Sequence, residues 1–272
     1  MKKDFFTAEV GILSNCDGSC IINTPEITLL CGVQSPSKLS ESKESCEEAK
    51  LEFFYNPLYN DPQISSQNSE YNKLDDEDDF LKPIDNIVID ESKIELNLLN
   101  MSNSHLRYKL YPRLNKCQEL FLLSVCRNAI YLDNYPNTLI SISIQELQQS
   151  LSSTTHNLLS TCINASCLAL MDSGIALKYM FNSLPIHTSL PLNKNLEENL
   201  IKSHKINSIC TLVFNQFSPK FISCYCKFGK KLNIDELSFL RKALEFHDIR
   251  EIQSIFELYK NVLIAKHNKI FG

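Results

Sequence analysis

Along the first sixty residues, apolar and polar positions alternate in short runs. AEVGILS (8–14), SCIIN (19–23), ITLLCGVQ (27–34) and AKLEFFYNPL (49–58) read as strands. Asp17-Gly18 is a turn signal between the first two runs. Thr24-Pro25-Glu26 breaks the next stretch, so residues 19–23 and 27–34 are expected to pair as a hairpin. With 49–58 added, the N-terminal part reads as a β-meander.

From Arg113 the period lengthens. LNKCQELFLLSVCRNAIYLDN places Leu114, Cys117, Leu120, Phe121, Ser124 and Val125 near one helical stripe. Residues Thr138 to Leu147 alternate again and predict a strand. HNLLSTCINASCLALMDSG reads as a helix closed by Gly174, and its Ser160, Thr161, Ala165, Ser166 and Ala169 would let it sit close against a sheet. INSICTLVFNQ and KFISCYCKFG are further strands. From Asn233 to about His267 the pattern gives one or two amphipathic helices. Asn233 and Glu236 form a capping box there, and the apolar stripe is Leu237, Leu240, Leu244, Ile252, Phe256, Tyr259 and Leu263. No internal repeat occurs.

Residues 59–106 differ in kind. They are polar and carry five consecutive acidic residues at 75–79, the signature of a solvated, disordered insertion more than of a docking site for a basic partner. The whole chain of 272 residues carries a net charge of -5, which argues against a protein held on nucleic acid by its overall field while leaving room for a local basic patch. No apolar run approaches the roughly 20 residues that span a bilayer, and MKKDFFTAEVG lacks the apolar core of a signal peptide, so no membrane partner is expected. Of the eleven cysteines, most sit inside apolar runs, as Cys31, Cys126, Cys162 and Cys167 do, and read as reduced core residues. Cys224 and Cys226 are spaced C-x-C on one strand face. With no second Cys or His pair at zinc-site spacing, they too read as core residues and not as metal ligands.

Three stretches in this order resemble the RNase PH family. GILSNCDGSCIINTPEITLLCGVQSP is similar to that family's N-terminal hairpin, with a D-G-S turn and a G-V-x-x-P close at Gly32, Val33 and Pro36. CINASCLALMDSGI (162–175) resembles its long helix, and YPNTLISISIQEL its H-P-R-T-type strand entry. The resemblance covers about residues 5–58 and 110–265 and is strongest to the inactive ring subunits of the eukaryotic RNA exosome. It implies an α+β, RNase PH-like fold (ribosomal protein S5 domain 2-like), with mixed sheets and packed helices. Residues 1–183 would form the N-terminal portion, interrupted by the insertion, and 184–272 the C-terminal-like portion.

The same resemblance says where chemistry would sit. Active members use phosphate as the nucleophile and hold it with an arginine just ahead of the long helix. Counting back from NASCLAL puts that arginine at Leu159, in a segment, SSTTHNLLSTC, whose only possible cation is His156. A neutral imidazole is a poor substitute for a bidentate guanidinium, and His156 is expected to be a surface turn residue. The first expected acidic residue falls near Asn193. Glu197 and Glu198 are adjacent and would face opposite ways on a strand, while Asp172 belongs to the helix-end motif and reads as structural. No G-x-S-x-G, H-E-x-x-H, P-loop or G-x-G-x-x-G occurs, and six glycines leave little for phosphate-cradling loops.

The expectation is therefore a non-catalytic scaffold with no catalytic residues, cofactor or metal of its own. The resemblance implies partners: other RNase PH-like exosome subunits in a hexameric ring, RNA-binding cap subunits, an associated exoribonuclease, and RNA in the channel, in the nucleus (nucleolus) and cytoplasm. Arg113, Lys116 and Arg127 are the candidate RNA contacts, while Asn137 stands where relatives often have arginine. Two alternatives stand beside it: an active phosphorolytic 3'-5' exoribonuclease, and a metal-dependent nuclease or nucleic-acid-binding module using Glu197 or Glu198 with Asp172.

Overall fold

The computed structural model describes residues 6–38, 48–58, 113–150, 153–188, 207–226 and 249–271. Among them run eight strands: β1 (Thr7–Val10), β2 (Gly18–Asn23), β3 (Ile27–Lys38), β4 (Lys50–Asn56), β5 (Thr138–Gln149), β6 (Phe181–Thr188), β7 (Asn207–Asn215) and β8 (Ser218–Cys226). The helices are α1 (Lys116–Ala129), α2 (Thr155–Asp172) and α3 (Ile249–Phe271), with a 3-10 turn at Leu132–Asn134. The strands form a five-stranded sheet in the order β1-β2-β3-β5-β4 and a three-stranded sheet in the order β6-β7-β8. This is the α+β class expected from the sequence.

The 19–23/27–34 hairpin forms as read, with Cys20 opposite Cys31 and Asn23 opposite Thr28. The meander fails at the fourth strand. β4 bypasses its predecessor and lies parallel to β5, with Leu51 opposite Ile140. Alternation fixes which face a side chain takes but not which neighbour a strand chooses. Here α1 lies between β4 and β5 in the chain, so the trio is a βαβ unit, whose strands are parallel. β6 was not foreseen at all. Pro185 and the polar Asn182 and Ser183 break its apolar pattern, yet both polar residues are fully buried. The expected domain boundary after residue 183 falls inside this strand.

Helix α1 is rotated from its expected stripe. It buries Gln118, Leu122, Val125, Cys126 and Ala129, while Cys117 and Leu120 face solvent. The segment LFLL supplies apolar residues to both sides, so periodicity alone was ambiguous. The cap sets the first turn: Asn115 Oδ1 accepts from Gln118 N at 2.9 Å, and Asn115 N donates to Gln118 Oε1 at 3.0 Å. With its amide used in this way, the Gln118 stem can be buried. In α3 the expected Ile252, Phe256 and Tyr259 are buried, joined by Ile255. Asn233, Glu236, Leu237, Leu240, Leu244 and the insertion 59–106 lie outside the described residues.

Helix α2 is the centre. It packs on β2 and β3 of one sheet and on β6 and β7 of the other, and 14 of its 18 residues are buried, so it has no solvent face over most of its length. Its C-terminal end is docked by the D-G-S turn. A Cβ on Gly18 would stand 2.2 Å from Ala169 O and 2.4 Å from Ser173 N, so only glycine allows this approach. Asp17 Oδ2 accepts from Ser35 N at 2.7 Å, and Ser19 Oγ accepts from Leu13 N at 2.9 Å. Ser19 N donates to Asp172 Oδ2 at 3.0 Å, while Lys266 of α3 pairs with Asp172 Oδ1 at 2.5 Å. A carboxylate at a helix C-terminus opposes the helix dipole; here the Lys266 ammonium and the Ser19 N–H offset that cost.

Asp172→Ala is expected to lower stability by about 2 kcal/mol, chiefly by stranding the Ser19 N–H, since half-exposed Lys266 can return to water. Asp172→Asn, which keeps an acceptor for Ser19, should lose less. Urea unfolding of the three proteins checks the order.

Candidate functional site

The expected phosphate position lies at the first turns of α2. Thr154 caps that helix, its Oγ1 accepting from Asn157 N at 3.2 Å. Leu159 is fully buried. His156, expected on the surface, is only 3 % exposed. The correction has a clear cause: its Nδ1 lies 3.0 Å from Thr211 Oγ1 on β7, and its ring lies 6.0 Å from that of Tyr225 on β8. Tyr225 in turn stacks tilted against Phe121 of α1 at 5.4 Å. The helix end that would present cations to an anion is thus covered by side chains of β7, β8 and α1.

A polar stripe continues along this side of α2. Ser160 Oγ donates to Ser183 O at 2.8 Å, Asn164 Nδ2 donates to the same carbonyl at 3.0 Å, and Ser183 N donates to Asn164 Oδ1 at 2.7 Å. His156, Ser160 and Asn164 fall one turn apart, and each meets the three-stranded sheet. These polar groups serve the helix-to-sheet joint and present no cation to a ligand. Asn193, Glu197 and Glu198 lie outside the described residues. Asp172 cannot join them easily as a metal ligand, because its side chain is only 2 % exposed and both its oxygens are already bonded.

The three candidate RNA contacts do not form one patch. Arg113 is half-buried, and its charge acts on Glu146, a buried residue of β5. Glu146 also accepts from Tyr55 Oη and from Leu58 N, the latter at 2.9 Å. Burial pushes the Glu146 carboxyl up, against the pull of those two hydrogen bonds and of Arg113. Burial and the nearby Glu146 charge push the Tyr55 phenol up as well. Lys116 and Arg127 are different. Both are exposed on α1, paired with Glu119 and Glu48 at 3.1 Å. Eleven residues apart, they lie roughly 16 Å apart along the helix and about 20° apart around it, so they share one face. Asn137 is exposed and takes a left-handed φ of 56°, a conformation asparagine tolerates at the entry to β5.

The sequence reading missed a thiol cluster. Cys224 and Cys226 do share a strand face, but they are not core residues: Cys224 is exposed and Cys226 partly buried. Cys210 lies directly opposite Cys226 in the β7–β8 register. The three sulfur atoms lie within 4.8 Å of one another, and Cys224 Sγ and Cys226 Sγ are 3.0 Å apart. Hydrogen bonds from Cys210 and Cys224 hold the Cys226 thiol well below its usual range. The signal was a cross-strand pairing, which spacing rules built on single loops do not register.

Residues 6–176 match the family described as 3' exoribonuclease family, domain 1 (RNase PH). The chain is 23% identical over 206 residues to the exosome complex component rrp46 of Schizosaccharomyces pombe, covering 76% of this chain and 68% of that protein. The crystal structure of rice (Oryza sativa) Rrp46 is similar, with a TM-score of 0.57 and 18% identity, covering 95% of this chain and 94% of that one. The chain belongs to the RNase PH family, and its fold is the RNase PH-like fold.

The buried Glu146 gives a pH test. Its folded pKa lies above the ordinary 4.5, so the stability it contributes is fully present below that value and is lost as pH rises through the folded pKa. Glu146→Gln keeps one of the two acceptor oxygens and never ionises. Between about pH 4 and about pH 7, the urea midpoint of the variant should rise relative to wild type as pH increases. A constant offset between the two would contradict the buried-carboxyl account.

Proposed function

We propose that the chain is a non-catalytic structural subunit of an exosome ring, supporting 3'-5' RNA processing and degradation without an active site of its own. One observation carries this reading. The position that would hold the phosphate arginine is Leu159, fully buried, and the adjacent His156 is bonded into the core. A guanidinium there could not meet an anion without opening the helix-to-sheet joint, and removing a lone charge from water costs far more than a leucine does. The similarity to a yeast exosome component supports the same reading.

The partners in this reading are other RNase PH-like subunits in a hexameric ring, cap subunits that bind RNA, and an associated exoribonuclease, in the nucleus (nucleolus) and cytoplasm. The exposed hairpin and edge strand support association: Phe217 is 73 % exposed, and Phe221 and Ile222 are exposed on β8 beside it. Any RNA contact would come from Lys116 and Arg127, which share a face of α1. Their ion pairs are solvent-exposed and therefore weak, so the charges can be recruited by phosphate. Arg113 serves the buried carboxylate instead.

The test is an affinity pull-down of the tagged chain from its native cells. Near-equal recovery of other RNase PH-like chains and cap proteins is expected, and recovery of the chain alone would overturn the reading. The pure chain should release no nucleoside diphosphates from RNA in phosphate, which separates the scaffold from the phosphorolytic alternative. In the assembled ring, Arg127→Glu is expected to weaken RNA crosslinking while leaving assembly intact. Unchanged crosslinking would remove Arg127 from the RNA path.

A further inference from the structure

The scaffold reading gives the three thiols no role. Thr211 faces α2, since its hydroxyl meets His156. Strand alternation then puts Cys210 on the opposite face of the three-stranded sheet. Cys226 sits across from Cys210, and Cys224 sits two residues along the same edge strand, across from Leu212. The three thiols converge from two strands on one point, with Cys210 buried behind them and Cys224 open to solvent.

We propose that Cys210, Cys224 and Cys226 bind a thiophilic d10 cation, with zinc(II) as the reference ion. Zinc–sulfur bonds of about 2.3 Å in a tetrahedral site place the sulfurs about 3.8 Å apart. The sulfurs of Cys224 and Cys226, 3.0 Å apart, and all three within 4.8 Å, bracket that spacing. Small side-chain rotations therefore suffice. Binding displaces to solvent whatever protons the three sulfurs still carry and leaves a tris-thiolate site. Water or an outside ligand would complete a tetrahedral shell.

A disulfide uses the cluster less well. Any bond between two of these sulfurs leaves the third unpaired, and Cys224 and Cys226, two residues apart on an extended strand, have Cα atoms about 6.7 Å apart, near the limit for a disulfide. A cation engages all three. It would also tie β8 to β7, where the register slips twice, between Val213 and Phe214 and between Phe214 and Asn215. The site thus pins the edge strand that carries Phe221 and Ile222. This inference stands whether or not the chain joins a ring.

The test is cobalt(II) titration of the full-length chain, reduced with a phosphine and kept free of air. The expected result is one equivalent of cobalt per chain, with intense sulfur-to-metal charge-transfer absorption, bleached by zinc(II). Cys224→Ser and Cys226→Ser should each weaken cobalt binding by roughly tenfold or more, since losing a ligand costs at least what losing its supporting partner does. Cys117→Ser, at an exposed cysteine on α1, should leave the spectrum unchanged. Far-ultraviolet circular dichroism verifies that each variant is folded, and exposed Cys224 is the site least able to disturb folding. Absence of charge-transfer absorption overturns the proposal, as does absorption that survives both strand variants. A disulfide within the trio that forms as readily with zinc as without it also overturns it.

Discussion

The structure depends on one constraint: α2 has protein on both sides. A helix clamped between two sheets cannot keep a polar face for water, so each polar group on it must be bonded to a neighbour. Small residues let the sheets come close, and Ser160, Asn164 and His156 are satisfied by β6 and β7. On the other side, Cys20 of β2 donates from its thiol to Ala165 O at 3.1 Å. Among the described residues the two sheets do not pair with each other. They are held in register through this helix, which makes its two faces the common reference for the whole fold.

That constraint also shapes the N-terminal end of the helix. An anion site at a helix N-terminus needs free N–H groups and cations in reach of solvent. Here the first turn is capped by Thr154 and covered by Thr211, Tyr225 and Phe121. Leu159 extends the core where an active relative is implied to carry a guanidinium.

Much of this was legible in the sequence, and the failures have specific physical causes. The β2–β3 hairpin, β5, α2 and the buried stripe of α3 follow from periodicity and turn chemistry. Contacts chosen between elements do not. Lys50–Asn56 shows a clear strand pattern, but nothing in it reveals that the partner is β5 and the pairing parallel. Asn182 and Ser183 look like loop residues, because their burial depends on hydrogen bonds they donate to Ile252 O and Asn164 Oδ1, 70 and 19 residues away. His156 reads as a surface residue until Thr211 is placed against it. Cys210 is 14 residues before Cys224 and becomes its neighbour only through the β7–β8 register. The legible part is local and the illegible part is pairing.

The residues that make the family recognisable are not those that would perform its reaction. Asp17 holds the Ser35 N–H, Gly18 admits the helix end, and Ser19 and Lys266 share Asp172. Gly174 supplies the positive φ of 73° that ends α2. Every one of these acts on backbone or on packing. The signature stretches can therefore stay intact whatever residue stands at position 159, since docking the helix and binding an anion answer to different forces. The signature reports that α2 is docked between its sheets. Activity must be judged separately, from the helix end itself, which here is covered by Thr211, Tyr225 and Phe121.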